Sequence, residues 1–105
     1  MSFEVYNFEN NLSSNIPNIR IGEKSIVLNK VFLNLLNSSK VTVAYDPKIK
    51  TIRIKAATEN EKGAVQIDKS KIPSGGFLEY FKITQRGRFS AIYDEEQNVF
   101  MIKIS

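Results

Sequence analysis

VTVAYDPKIKTIRIK, the stretch from Val41 to Lys55, decides how the chain reads. Apolar and polar residues alternate on both sides of Asp46-Pro47, which is the pattern of two strands joined by a turn. A related ending stands near the C-terminus, in AIYDEEQNVFMIKI from Ala91 to Ile104. Tyr45-Asp46 matches Tyr93-Asp94, and Ile54-Lys55 matches Ile102-Lys103, each at an offset of 48 residues. The chain therefore reads as two copies of one small unit.

The first unit covers residues 19 to 55. Ile19-Arg20-Ile21 is a short strand, Gly22-Glu23-Lys24 a turn, and Ser25 to Leu28 a second strand. Asn29 is placed to cap a helix, because its side-chain oxygen can accept from an unpaired N–H of the first turn. Val31, Phe32, Leu35 and Leu36 fall on one face of a helix of about two turns. Asn37-Ser38-Ser39 ends it, and the Val41–Lys55 hairpin follows. Residues 56 to 64, AATENEKGA, form a polar linker.

The second unit, residues 65 to 105, repeats the order. Val65 to Ile67 is the strand, Asp68 to Ser70 the turn, and Lys71-Ile72-Pro73 the next strand, with Ser74 as cap. Phe77, Leu78 and Phe81 form the helix face, Gln85 to Gly87 a turn, and Arg88 to Tyr93 with Asn98 to Ile104 the hairpin. The offset runs from 46 at the first strand to 45 at the helix and 48 at the hairpin, as small loop insertions produce. Residues 1 to 18 form a leader holding Glu4 and Glu9 and no basic residue. Alternation around Phe3 and Val5 predicts a short strand there, followed by an Asn/Ser-rich loop closed by Pro17.

Composition narrows the function classes. At 105 residues, 42% hydrophobic and 25% charged, the chain is expected to form one soluble domain. It has no cysteine and no histidine, so disulfides, thiol chemistry, the commonest metal ligand and the usual neutral-pH proton carrier are all missing. No catalytic triad or paired-carboxylate site is evident, which argues against an enzyme and against any cofactor or small-molecule substrate. Asp94-Glu95-Glu96 reads as a hairpin tip, not a metal site. Ser74-Gly75-Gly76 lacks the lysine and spacing of a phosphate loop. With no signal peptide and no run of about 20 apolar residues, a cytoplasmic protein without a membrane partner is expected.

The order strand, turn, strand, short helix, hairpin resembles the AbrB/MazE/MraZ swapped-hairpin family. The stretches that carry the resemblance are IRIGEKSIVLNKVFLNLLNSSKVTVAYDPKIKTIRIK and VQIDKSKIPSGGFLEYFKITQRGRFSAIYDEEQNVFMIKI. Ile72-Pro73 matches the family's Ile-Pro before the helix; the first unit has Leu28-Asn29 there, and Gly87-Arg88 falls in a different element from the family's Gly-Arg. The resemblance implies a mainly β domain with two short helices: a compact pseudo-two-fold β-barrel of swapped-hairpin or double-psi type, from two ββαββ-like repeats. It also implies a DNA-binding regulator, dimeric as many such proteins are.

Charge is divided unequally. Residues 19 to 55 carry eight basic against two acidic residues, whereas residues 65 to 105 carry six against five. An anionic partner would be drawn to the first unit. Arg20, Lys24, Lys30, Lys50, Arg53 and Lys55 are the candidate phosphate contacts. Strand alternation turns Ile52 and Ile54 inward and Thr51, Arg53 and Lys55 outward. Their counterparts are Phe100 and Ile102 inward, and Val99, Met101 and Lys103 outward. Ile92 would join Val99 and Met101 in an apolar strip, a candidate protein interface covered by a second copy or by Phe3, Val5 and Phe8 of the leader. The alternative function is accordingly a non-catalytic protein-interaction module, of the kind phages or mobile elements carry, that binds a protein through this strip.

Overall fold

The structure, a computed structural model, describes residues 16–105. The expected strand and loop between Phe3 and Asn15 lie outside the described residues. At Gly22 the backbone N–H donates to the Ser25 carbonyl at 2.9 Å, closing the turn between β1 (Asn18–Ile21) and β2 (Ser25–Leu28). Asn29 then does two jobs with one side chain. Its Oδ1 accepts from the N–H of Phe32 at 2.9 Å, capping α1 (Lys30–Leu36), and from the N–H of Asn18 at 3.0 Å. Its Nδ2 donates to the Ile16 carbonyl at 3.0 Å, so the helix start and the entry to β1 share one amide.

The buried face of α1 is Phe32 and Leu36, with Leu33 packed beside them. Val31 is only half-buried and Leu35 is 38% exposed, so the apolar face is rotated from the one expected. Stacking supplies the reason: the Phe32 ring lies on Phe100 with centroids 3.9 Å apart, and this sets which side of the helix meets the sheet. The helix ends at Asn37, whose φ of 47° is the left-handed conformation that Asn tolerates and whose N–H donates to the Leu33 carbonyl.

The hairpin quoted first forms as expected, from β3 (Lys40–Asp46) and β4 (Thr51–Ala56). Asp46 Oδ1 accepts from the Lys48 N–H at 2.9 Å, and Lys50 takes a φ of 49°. The second unit supplies β5 (Val65–Gln66), β6 (Lys71–Pro73), α2 (Gly75–Tyr80), β7 (Gly87–Ser90), β8 (Ile92–Asp94) and β9 (Val99–Lys103). Its hairpin turn is built the same way. Asp94 Oδ1 accepts from the Glu96 N–H at 3.0 Å, and Asn98, 48 residues after Lys50, has a φ of 55°. Ser74 precedes α2 but does not cap it: its Oγ donates backward to the Ile72 carbonyl at 2.7 Å. Pro73 sits in β6, at the edge of its sheet, where a missing N–H is tolerated.

The described chain is mainly β, a compact globule of two helices and two antiparallel sheets. The four-stranded sheet has the order β6-β2-β1-β7, and the five-stranded sheet the order β5-β3-β4-β9-β8. The stretch expected as one strand from Arg88 to Tyr93 divides between them. β7 pairs with β1, β8 pairs with β9, and at the break the Ala91 N–H donates to the Pro17 carbonyl at 2.8 Å. An isolated bridge between Asp68 and Lys71 links the chain between β5 and β6. Several registers fall on repeat equivalents: Ile26 opposes Ile72, 46 residues on, and Arg53 opposes Met101, 48 residues on. Ile19 opposes Phe89, and its counterpart pair, Val65 with Val41, is also in register.

Between the sheets lies one apolar cluster in which Ile19, Ile26, Phe32, Ile52, Ile54, Phe100 and Ile102 are fully buried. Ile52, Ile54, Phe100 and Ile102 thus point inward as alternation required. Thr51 and Val99 depart from it, being 8% and 7% exposed at positions expected to face out. Thr51 is a turn-side residue whose Oγ1 donates to the Ile49 carbonyl at 3.0 Å. Replacing Phe32 or Phe100 with Ala is expected to destabilise the fold by about 3–5 kcal/mol, through lost burial and the cavity left behind. Leu35→Ala is expected to cost no more than about 0.5 kcal/mol. Urea unfolding of the three variants checks the contrast.

Candidate nucleic-acid interface

The six basic candidates do not share one face. Arg20 stands on the outer face of the four-stranded sheet, whereas Arg53 and Lys55 stand on the outer face of the five-stranded sheet, with the core between. Lys24 lies in the β1–β2 turn, where its carbonyl accepts from the Ser74 N–H at 2.9 Å and ties that turn to the start of α2. Lys30 is the exposed first residue of α1. Lys50 is in the β3–β4 turn, and its carbonyl accepts from the Ile104 N–H at 2.9 Å. Strand alternation could place these residues in or out of the core. It could not place them on one sheet or the other.

What the structure assembles instead is a row across the four-stranded sheet. Lys71 on β6 opposes Val27 on β2, Val27 opposes Arg20 on β1, and Arg20 opposes Arg88 on β7. Lys71, Arg20 and Arg88 are exposed, and the residues flanking the row, Ile19, Ile26 and Ile72, turn into the core. Neighbouring strands run about 5 Å apart, so two guanidinium stems rise side by side with a third cation two strands away. Like charges directly opposite one another weaken a sheet. Among the described residues no carboxylate forms an ion pair or hydrogen bond with Arg20 or Arg88. Arg88 and Lys71 were not candidates from the sequence, because nothing local indicates that β7 would lie beside β1. Their only signal was alternation within their own short strands.

The outer face of the five-stranded sheet is mixed. Ala44, Arg53, Met101 and Ile92 make one cross-strand row, and Thr42, Lys55, Val99 and Asp94 the next. A shallow depression of about 310 Å3 lies between Arg53, Met101, Ala44, Pro47 and Ile49. The apolar strip expected here is partial: Ile92 is 75% exposed, Met101 is half-buried and Val99 is shielded. Tyr45 and Tyr93 are packed and not presented as stacking surfaces. Tyr45 meets Phe81 with centroids 5.4 Å apart, while Tyr93 lies 4.6 Å from Phe100 and its hydroxyl donates to Asn98 Oδ1 at 2.9 Å.

A larger open depression of about 610 Å3 lies at the far end of β1, floored by Leu78 and Ile83 and rimmed by Glu23, Lys24, Lys82 and Arg86. Arg86 is committed there to the Ile83 and Gln85 carbonyls, at 3.0 and 2.9 Å. Among the described residues there is no cluster of three carboxylates fit to hold a metal ion, and Asp94 is engaged in its own turn. None of the described helices is long and apolar enough to cross a membrane. Comparison with protein-family models, curated proteins and solved structures returned no match.

Arg88→Glu turns the Arg20–Arg88 opposition into an attractive cross-strand pair. It is expected to raise the melting temperature by roughly 2–4 °C at low ionic strength. The gain should vanish in about 1 M salt, where screening extends over only about 3 Å. Thermal melts at the two salt concentrations check it.

Proposed function

We propose that the chain is a non-catalytic DNA-binding protein of the transcription-regulator kind, contacting phosphates through the outer face of its four-stranded sheet. The observation that carries this reading is the opposition of Arg20 and Arg88, with Lys71 in the same row and no carboxylate partner among the described residues. A protein that only needed soluble strands could alternate signs across the row and gain stability. Holding like charges together is repaid when a polyanion lies across them and releases its condensed counterions. Of the six original candidates, Arg20 belongs to this surface. Arg53 and Lys55, on the other sheet, do not reach the same duplex face.

The architecture we infer for this surface is a pseudo-two-fold barrel of the swapped-hairpin kind. Its support is the pairing of repeat equivalents, Ile26 with Ile72 and Arg53 with Met101, because a two-fold axis passing between two strands opposes each residue to its own counterpart. The division of the chain at Ala91 and the Asp68–Lys71 bridge are the two places where such a barrel would close. Under that axis Arg20 has Gln66 as its counterpart and Arg88 has Lys40. The cationic opposition is thus made once, and the barrel has one DNA-facing side.

A fluorescence titration against duplex DNA tests the reading. Binding is expected at about 50 mM salt and should weaken steeply by about 200 mM. Arg20→Ala and Arg88→Ala should each reduce the salt slope by about 1 without selecting a sequence, whereas Arg53→Ala should leave it unchanged. Absence of binding at the lower salt, or equal slopes in all three variants, overturns the proposal.

A further inference from the structure

One edge of the five-stranded sheet is only partly paired. β5 covers Lys40 and Val41 of β3, and among the described residues no strand lies beside Thr42 to Asp46 on that side. The Lys40 carbonyl accepts from the Ala57 N–H, just past the end of β4, at 2.9 Å. The Ser39 carbonyl faces the other way and accepts from the Ile67 N–H at 2.8 Å. The register with β4 runs unbroken to Asp46, so Thr42 and Ala44 turn their backbone groups to β4, while Val43 and Tyr45 turn theirs to the open edge. Unpaired donors and acceptors in that order are a template for one more strand.

We propose that this edge takes an extended acidic and apolar segment of another protein as an added strand, bonded through its backbone to Val43 and Tyr45. Strand addition draws affinity from main-chain bonds and specificity from the pockets that alternate side chains enter. On the outer face the added strand runs beside Thr42, Ala44 and Asp46. Ala44 is too small to bar a side chain from crossing to Arg53, which stands directly opposite it on β4, two strand spacings or about 10 Å from the added strand. Arg53 is exposed and has no ion-pair partner among the described residues, so a carboxylate beside Ala44 completes a charge-assisted pair. Beside Asp46 a second carboxylate would meet like charge. There the depression between Ala44, Pro47, Ile49 and Met101 suits an apolar side chain, and Ile49 stands 53% exposed at its border. A symmetric second copy fits poorly. Centred on Ala44, antiparallel pairing puts Pro47 of one copy opposite Val41 of the other, where Val65 already sits; centred on Val43, it puts Tyr45 there. Centred on Tyr45, it sets Val43 against Pro47, which has no N–H to give. This inference does not depend on DNA binding, since Arg20 and Arg88 lie on the other sheet.

The probe is a fluorescein-labelled heptapeptide with glutamate at its centre, leucine two residues to either side, and valine or threonine elsewhere. Titrated with the full chain, its anisotropy should rise to saturation. Saturating peptide should slow amide exchange at Val43 and Tyr45 at least about tenfold, and leave Thr42 and Ala44, already bonded to β4, unchanged. Arg53→Glu should weaken the peptide at least about tenfold, and a peptide with lysine at its centre should restore binding. Absence of binding at millimolar peptide overturns the proposal, as does binding that leaves Val43 and Tyr45 unprotected or ignores the charge exchange. Protection of these amides that rises with protein concentration alone also overturns it, since a second copy would then hold the edge. So does equal protection by a duplex oligonucleotide, which would make the occupant a polyanion.

Discussion

The pairing of β4 with β9 is the interaction on which the rest of the structure depends. It joins the last strand of each sequence unit, and the four residues it turns inward, Ile52, Ile54, Phe100 and Ile102, are all fully buried. Phe32 brings α1 onto the same spot by stacking on Phe100, and Tyr93 closes on that ring from the next strand. Neither hairpin could bury these side chains alone. A single hairpin has one apolar face and nothing to set against it, and small isolated sheets of this kind are marginal in water.

From that shared interior the two sheets diverge outside. The four-stranded sheet carries cations in register, set side by side by strand spacing with no carboxylate partner among the described residues. The five-stranded sheet mixes Arg53 and Lys55 with Met101 and Ile92. Burial tolerates little variation, because an inward position that lost its methyl groups would leave a cavity. Outward positions carry no such constraint, so that is where the two sheets differ. The cationic row and the partly apolar face are therefore separated by the whole thickness of the core.

Local chemistry was legible in the sequence wherever neighbours in the chain supply it. Asn29 was readable as a cap because the amide it satisfies is three residues away, and the Asp46 and Asp94 turns because their acceptors are two residues from the donors. Ser74 shows the boundary of such reasoning. It occupies the cap position, yet its hydroxyl donates backward to the Ile72 carbonyl and does not accept from a helix N–H, and only the packed backbone decides between the two bonds. The buried face of α1 differs from the expected one for a similar reason: in VFLNLL, Val31 to Leu36, the apolar positions outnumber what one face can bury, and the Phe32–Phe100 stack selects among them.

The amino-acid sequence by itself determined the strand alternation, the turns and the helix cap at Asn29, since each rests on interactions within a few residues. Only the tertiary structure decided which strands lie side by side. That choice splits Arg88 from Tyr93 between two sheets, removes Arg53 and Lys55 from the company of Arg20, and sets Arg88 and Lys71 in Arg20's row. Alternation tells a side chain whether it faces core or water. Which neighbour it meets there depends on pairing between segments far apart in the chain, governed by how both units together bury one set of apolar side chains.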